Sequence, residues 1–217
     1  MMVRLRHTLR VVLLALAAVA AGAAQATGLE RLESFIKTVR SGKAEFTQVV
    51  TSPPRQGQAP RTKTSGGSFE FVRPQKFRFD YRKPFEQRIV ADGQTLWLHD
   101  LDLNQVSARN QASVLGSTPA ALLASASDLA ALQADFALSD APDQQGLEWV
   151  LAAPRNRDST LQSVRLGFRG KLPEVLEIVD SFGQKSVLVF KGFEVNPAID
   201  AARFQFQPPA GADVIRN

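Results

Sequence analysis

The chain reads as a mainly β protein with a few α-helices, built on one antiparallel sheet that curls into a barrel or sandwich. Three observations predict this. The stretch 66–81, GGSFEFVRPQKFRFDY, puts Phe69 and Phe71, then Phe77, Phe79 and Tyr81, at alternate positions, the period of strands with one apolar face. Asp92-Gly93 stands between two apolar runs, the strongest short hairpin signal in the chain. Short strand-like segments divided by turn residues then recur almost to the end.

The opening residues read as an address rather than as part of the fold. Arg4, Arg6 and Arg10 form a positive region and 11–21 is an apolar run too short to span a bilayer comfortably. Ala24-Gln25-Ala26 then offers the small residues a signal peptidase needs. Cleavage is expected after Ala26, giving a leader over 1–26 and a single domain over 27–217, with an uncleaved anchor as the alternative. The expected destination is the periplasm. The chain has no Cys, which excludes a lipidated Cys, disulfides, thiolate metal sites and a Cys nucleophile. Loss of three arginines leaves 23 basic against 21 acidic residues, so the formal charge falls from +5 to +2 and nucleic acid is not an expected partner.

Taken in order, Leu29, Leu32, Phe35, Ile36 and Val39 recur at helical spacing, with Gly42 as a stop. Strands follow over 44–51, the 66–81 stretch, 87–91, 95–99 and 104–109, with a polar loop over 52–63. Arg73-Pro74 divides the ring-bearing stretch, because Pro removes a donor and favours a turn or edge position. Further strands are expected over 136–139, 147–153, 161–168, 175–180, 185–195 and finally 204–207. One helical segment interrupts them. Ser117-Thr118-Pro119 is a capping hydroxyl before a first-turn Pro, and Ser127-Asp128 is a second start. Both pieces are short and nearly uncharged, so they must rest on something apolar, through Leu122, Leu123, Leu129 and Leu132. They are either a plug in one mouth of the barrel or a movable lid.

The chemistry available to the folded chain is sparse. Once His7 leaves with the leader a single His remains, His99, expected to be solvated at a strand end. No G-x-S-x-G elbow, metal cluster or Gly-rich phosphate loop is read, and no cofactor is indicated. Asp80 and Glu86 are the carboxylates a hydrolase reading would use. Ring-rich strands without catalytic groups point to binding of something apolar, although a solid β core explains the same rings.

The run from Gly67 through Phe69, Phe71, Arg73-Pro74, Phe77, Phe79, Tyr81, Pro84, Ile89, Val90, Asp92-Gly93, Leu96-Trp97 and Asp100 to Gln105 resembles the signature of the periplasmic outer-membrane lipoprotein carrier (LolA) family. The likeness extends to Thr118-Pro119 and to Asp200-Ala201-Ala202 with Phe204, Phe206 and Pro208-Pro209. It implies a curved, incomplete (unclosed) antiparallel β-barrel covered by a helical lid, in a monomer that is not an enzyme. Acylated lipoproteins would be the cargo, received from an inner-membrane ABC-type releasing complex and passed to an outer-membrane receptor lipoprotein. The resemblance makes Arg73 the lid latch. Phe69, Phe71, Phe77, Phe79, Tyr81, Ile89 and Trp97 would line the acyl-chain cavity, and Pro119, Leu122, Leu123, Leu129 and Leu132 would belong to the lid. The alternative is an envelope-stress sensor or lipid-binding interaction module of similar fold.

Overall fold

The computed structural model describes residues 26–54, 58–115, 123–124 and 128–216. The expected leader, apart from Ala26, and the lid residues Pro119 and Leu122 lie outside the described residues.

Helix α1 (Gly28–Thr38) begins at a reciprocal cap. The Thr27 hydroxyl accepts from the Glu30 amide, while the Glu30 carboxylate accepts from the Thr27 amide at 2.9 Å. Leu32, Phe35 and Ile36, at i, i+3 and i+4, form its buried stripe. The strands follow in two runs. The first is β1 (Ser41–Ser52), β2 (Arg61–Val72), β3 (Lys76–Lys83), β4 (Gln87–Ala91), β5 (Thr95–Asp100) and β6 (Gln105–Asn110). Helices α2 (Gln111–Leu115) and α3 (Leu129–Asp135) intervene. Then come β7 (Phe136–Gln144), β8 (Leu147–Pro154), β9 (Leu161–Arg169), β10 (Leu172–Asp180), β11 (Lys185–Val195) and β12 (Asp213–Arg216).

All twelve belong to one sheet in the order β12-β6-β5-β4-β3-β2-β1-β11-β10-β9-β8-β7. Its two edge strands, β12 and β7, do not pair with each other, so the barrel is unclosed. The ladders are antiparallel except for β12 on β6, which run parallel. The concave face carries the main core, where Leu32, Phe35 and Ile36 of α1 meet Phe69, Phe71, Phe77 and Phe79. Leu123, Ala124 and Leu132 of the helical cover pack into the same cluster, and Leu129 packs partly buried against it.

Three departures from the sequence reading have physical causes. The expected loop over 52–63 is shorter, because β1 and β2 continue as a paired ribbon out to Ser52 and Arg61. That ribbon has two polar faces, so no alternation marks it. The expected last strand over 204–207 is instead a 3-10 turn, Ala201–Phe204, started by the Asp200 carboxylate accepting from the Ala202 amide at 2.9 Å. Pro208 and Pro209 follow without donors, and the terminal strand forms only at Asp213–Arg216. Finally, β11 bulges at Gly192, whose φ of +60° suits glycine, and the register slips between Lys43 and Glu45. The extra residue puts Phe190 and Phe193, rather than 190 and 192, on the ring-bearing face.

Candidate functional site

A ladder of aromatic rings crosses the concave face. Tyr81 and Phe46 meet edge to face with centroids 5.0 Å apart, and Phe46 and Phe79 do so at 5.5 Å. Phe79 stacks on Phe69 at 4.5 Å and Phe69 on Phe71 at 5.6 Å. Phe71 then reaches Phe35 of α1 at 6.2 Å, where Phe168 and Phe193 stand 6.0 and 5.9 Å from the same ring. Helix α1 therefore stoppers this end of the half-barrel. The rings come from β1, β2, β3, β9, β11 and α1; strand alternation aims those of β1, β2, β3 and β9 inward, the bulge at Gly192 turns Phe193 inward, and Phe35 lies on the buried stripe of α1.

Beyond Tyr81 the same face opens into a cavity of about 570 Å³, lined by Gln48, Val50, Lys63, Ser65, Tyr81, Phe85, Gln87 and Asp100 among others. That volume lies in the range of small-ligand sites. Phe85 and Leu103 stand at its rim largely exposed, with the Lys63 ammonium 4.9 Å from the Phe85 ring. Burial pushes the Tyr81 hydroxyl up to about 12, so it stays protonated at the cavity wall.

Arg73 sits at the stoppered end. The residue is 8% exposed, and its Nε donates to the Val39 carbonyl at the end of α1 at 2.9 Å. The Phe35 and Phe71 rings flank it at 5.4 and 5.2 Å. Burial, helped by the charge of Arg40, pulls its pKa down to about 10, which leaves it a cation at neutral pH. Two residues on, the Gln75 amide donates to the carbonyl of Ala124 in the helical cover at 3.3 Å.

The expected cavity residues thus divide. Phe69, Phe71, Phe77 and Phe79 are packed in the core against one another and against the cover. Tyr81 stands where the ladder meets the open cavity, and Ile89, paired with Phe79 across β3 and β4, packs half-buried against the core. Trp97 must be corrected: β5 pairs Leu96 with Ala91 and Leu98 with Ile89, so Leu96 and Leu98 face inward and Trp97 faces the convex side. There its indole donates to Asp92 at 2.9 Å and lies 5.3 Å from the ring of Phe206. His99 must also be corrected. It is 5% exposed under Phe206, and neither ring nitrogen has a hydrogen-bond partner among the described residues. Asp80 is likewise convex, held by Arg78 at 2.6 Å and Arg88 at 2.8 Å, while Glu86 is exposed. Burial alone would raise the Asp80 pKa, but its bonds to Arg78 and Arg88 outweigh this and hold it below the usual value. Neither carboxylate lines the open cavity, whose acidic residues are Asp100 and Asp102, so Asp80 and Glu86 are not brought together there. Phe46, Phe190 and Phe193 escaped the sequence reading. The first stands alone in its strand, and the last is brought inward only by the bulge.

Fold and site together define a class: an unclosed β-barrel whose apolar concave face is sealed by helices at one end and opens at the other. The chain belongs to the outer membrane lipoprotein carrier protein LolA family, which it matches over residues 37–207. The outer-membrane lipoprotein carrier protein of Albidiferax ferrireducens is 65% identical over 201 residues, covering 91% of this chain and 94% of the relative. That of Leptothrix cholodnii is 54% identical over 196 residues, covering 90% and 89%. Among solved structures, a LolA superfamily protein from Nitrosomonas europaea aligns with TM-score 0.47 at 12% identity, over 83% of this chain and 98% of its own.

Proposed function

We propose that this protein is a periplasmic carrier, not an enzyme, which shields the acyl chains of lipoproteins bound for the outer membrane. In this reading a leader is removed after Ala26, cargo is received from an inner-membrane ABC-type releasing complex, and delivery is to an outer-membrane receptor lipoprotein. The observation that carries the proposal is the unbroken ring ladder from the open cavity at Tyr81 to the stopper at Phe35. Membership of the carrier family agrees with it.

The energetics explain why such a ladder is needed. At about 0.8 kcal/mol per methylene, one acyl chain of ordinary length held in water costs on the order of 10 kcal/mol, and a triacylated lipoprotein has several chains. The carrier must offset most of that cost and still release its cargo. Rings already packed against each other and a helical cover serve this purpose: a guest gains apolar contact only by displacing contacts the empty protein makes with itself. Binding is thereby held below what the guest's buried area alone would give. Chains enter at the 570 Å³ cavity and advance along the rings as the cover lifts. Arg73 acts as the latch, a buried cation tying the ring-lined end to the close of α1 beside the Gln75–Ala124 contact.

The test uses the chain from residue 27 loaded with an apolar dye such as bis-ANS. A purified acylated lipoprotein should displace the dye, and outer membranes bearing the receptor should then take up the lipoprotein. If the deacylated lipoprotein competes equally well, acyl shielding is refuted.

A further inference from the structure

Gln111, the first residue of α2, is 1% exposed, and its amide is satisfied on both sides. The side-chain oxygen Oε1 accepts from the Gly93 amide at 3.0 Å, and Nε2 donates to the Gln75 carbonyl at 2.7 Å. Its backbone amide donates to the Gln94 carbonyl at 2.8 Å. One side chain therefore ties the β4–β5 hairpin to the β2–β3 turn. Gln75 in turn holds the cover. With φ at +66°, a conformation uncommon for a residue with a side chain, its amide reaches the Ala124 carbonyl at 3.3 Å. Ala124 is wholly buried, so this bond forms only when the cover is seated.

We propose that Gln111 is the positioning residue that sets the closed position of the helical cover, by fixing Gln75 so that its amide meets Ala124; this deepens the carrier reading and rests on it. The β2–β3 turn is gripped from two sides. Arg73 anchors it to α1, and Gln111 anchors it to the hairpin. Without Gln111 the left-handed Gln75 has no second hold on its carbonyl, and the turn relaxes toward a conformation that no longer presents the amide. A neutral hydrogen bond of this kind shifts an equilibrium by about 3- to 10-fold, enough to bias a cover that has to open in each cycle.

Two substitutions separate positioning from general stability. Gln111→Glu keeps an acceptor for Gly93 but sets a carboxylate oxygen against the Gln75 carbonyl, whereas Gln111→Met removes both bonds at similar volume. Amide hydrogen exchange on the full chain should show Gln75 exchanging about 3- to 10-fold faster in both variants. Gly93 should accelerate only in the Met variant, and bis-ANS should enter both variants faster than the parent. Unchanged Gln75 exchange in a folded Met variant, which has no donor left for the Gln75 carbonyl, overturns the proposal. Should both variants fail to fold, the parent protein decides: the Gln75 amide and the Gln111 side-chain protons should exchange together, and exchange of Gln75 while Gln111 stays protected overturns it. A protein that neither takes up dye nor binds lipoprotein would refute the carrier reading, whereas the exchange pattern judges Gln111 separately.

Discussion

The two ends of one concave face are built from the same strands and behave oppositely. From stopper to mouth, β2 presents Phe71, Phe69, Gly67, Ser65 and Lys63, while β1 presents Ala44, Phe46, Gln48 and Val50. The first residues of each row are sealed under α1 and the cover, and the last residues of each line an open cavity. Gly67 marks the change. A Cβ there would come within 1.9 Å of the Asp80 carbonyl oxygen, so β2 and β3 approach too closely for any side chain, and the ring row breaks. The comparison teaches that packed rings and open room are segregated along a single sheet. Rings near α1 hold the protein together, and the mouth contributes room instead.

The largest effect should come from breaking the sealed end. Phe69→Ala removes a fully buried ring that stacks on two others and should cost about 3–5 kcal/mol, read as a lowered denaturation midpoint. Next is the convex clamp behind the rings, where Asp80 gathers Arg78 and Arg88, and Arg203 of the C-terminal segment pairs with Glu70 at 2.9 Å. Asp80→Ala should cost about 2 kcal/mol, because two partly buried guanidinium groups lose their acceptor. The sign of the pH dependence follows from the depressed Asp80 pKa. Its contribution is complete above the ordinary value of 3.8 and is lost as pH falls through the lower folded value. Acid titration of the parent should therefore show a loss of stability below about pH 4 that is smaller in Asp80→Ala.

A third substitution sharpens the division between holding and releasing. Arg73→Leu puts an apolar group in an apolar niche and relieves a buried charge, so the fold and cargo binding should persist. Transfer to the acceptor should fall several-fold, and unchanged transfer rates would remove the latch. The smallest effect should be at the rim. Phe85 is 59% exposed, and Phe85→Ala should change stability by less than about 0.5 kcal/mol while slowing uptake of lipoprotein.

Legibility in the sequence followed the same gradient. Wherever one face is greasy and the other polar, as in α1 and in 66–81, local periodicity was enough to place the element and its inner face. It failed at Leu96-Trp97-Leu98, three apolar residues in a row, because both faces of β5 are covered. The cover on the convex side is Phe204 and Phe206, from a segment more than a hundred residues later in the chain. His99 was misplaced for the same reason. The open cavity was not legible at all, since its polar lining comes from β1 through β5 and from the turn at Leu103, with no shared motif. Gln111 left no signal either, because a buried amide looks like any polar residue until its partners are known.

The most direct test of the central claim places a photo-crosslinking phenylalanine analogue at position 79, on the concave face, and in a second protein at position 97, on the convex face. Each is loaded with an acylated lipoprotein. The account predicts crosslinks to the acyl moiety from position 79 and none from position 97. Crosslinking from position 97 with none from position 79 would contradict it.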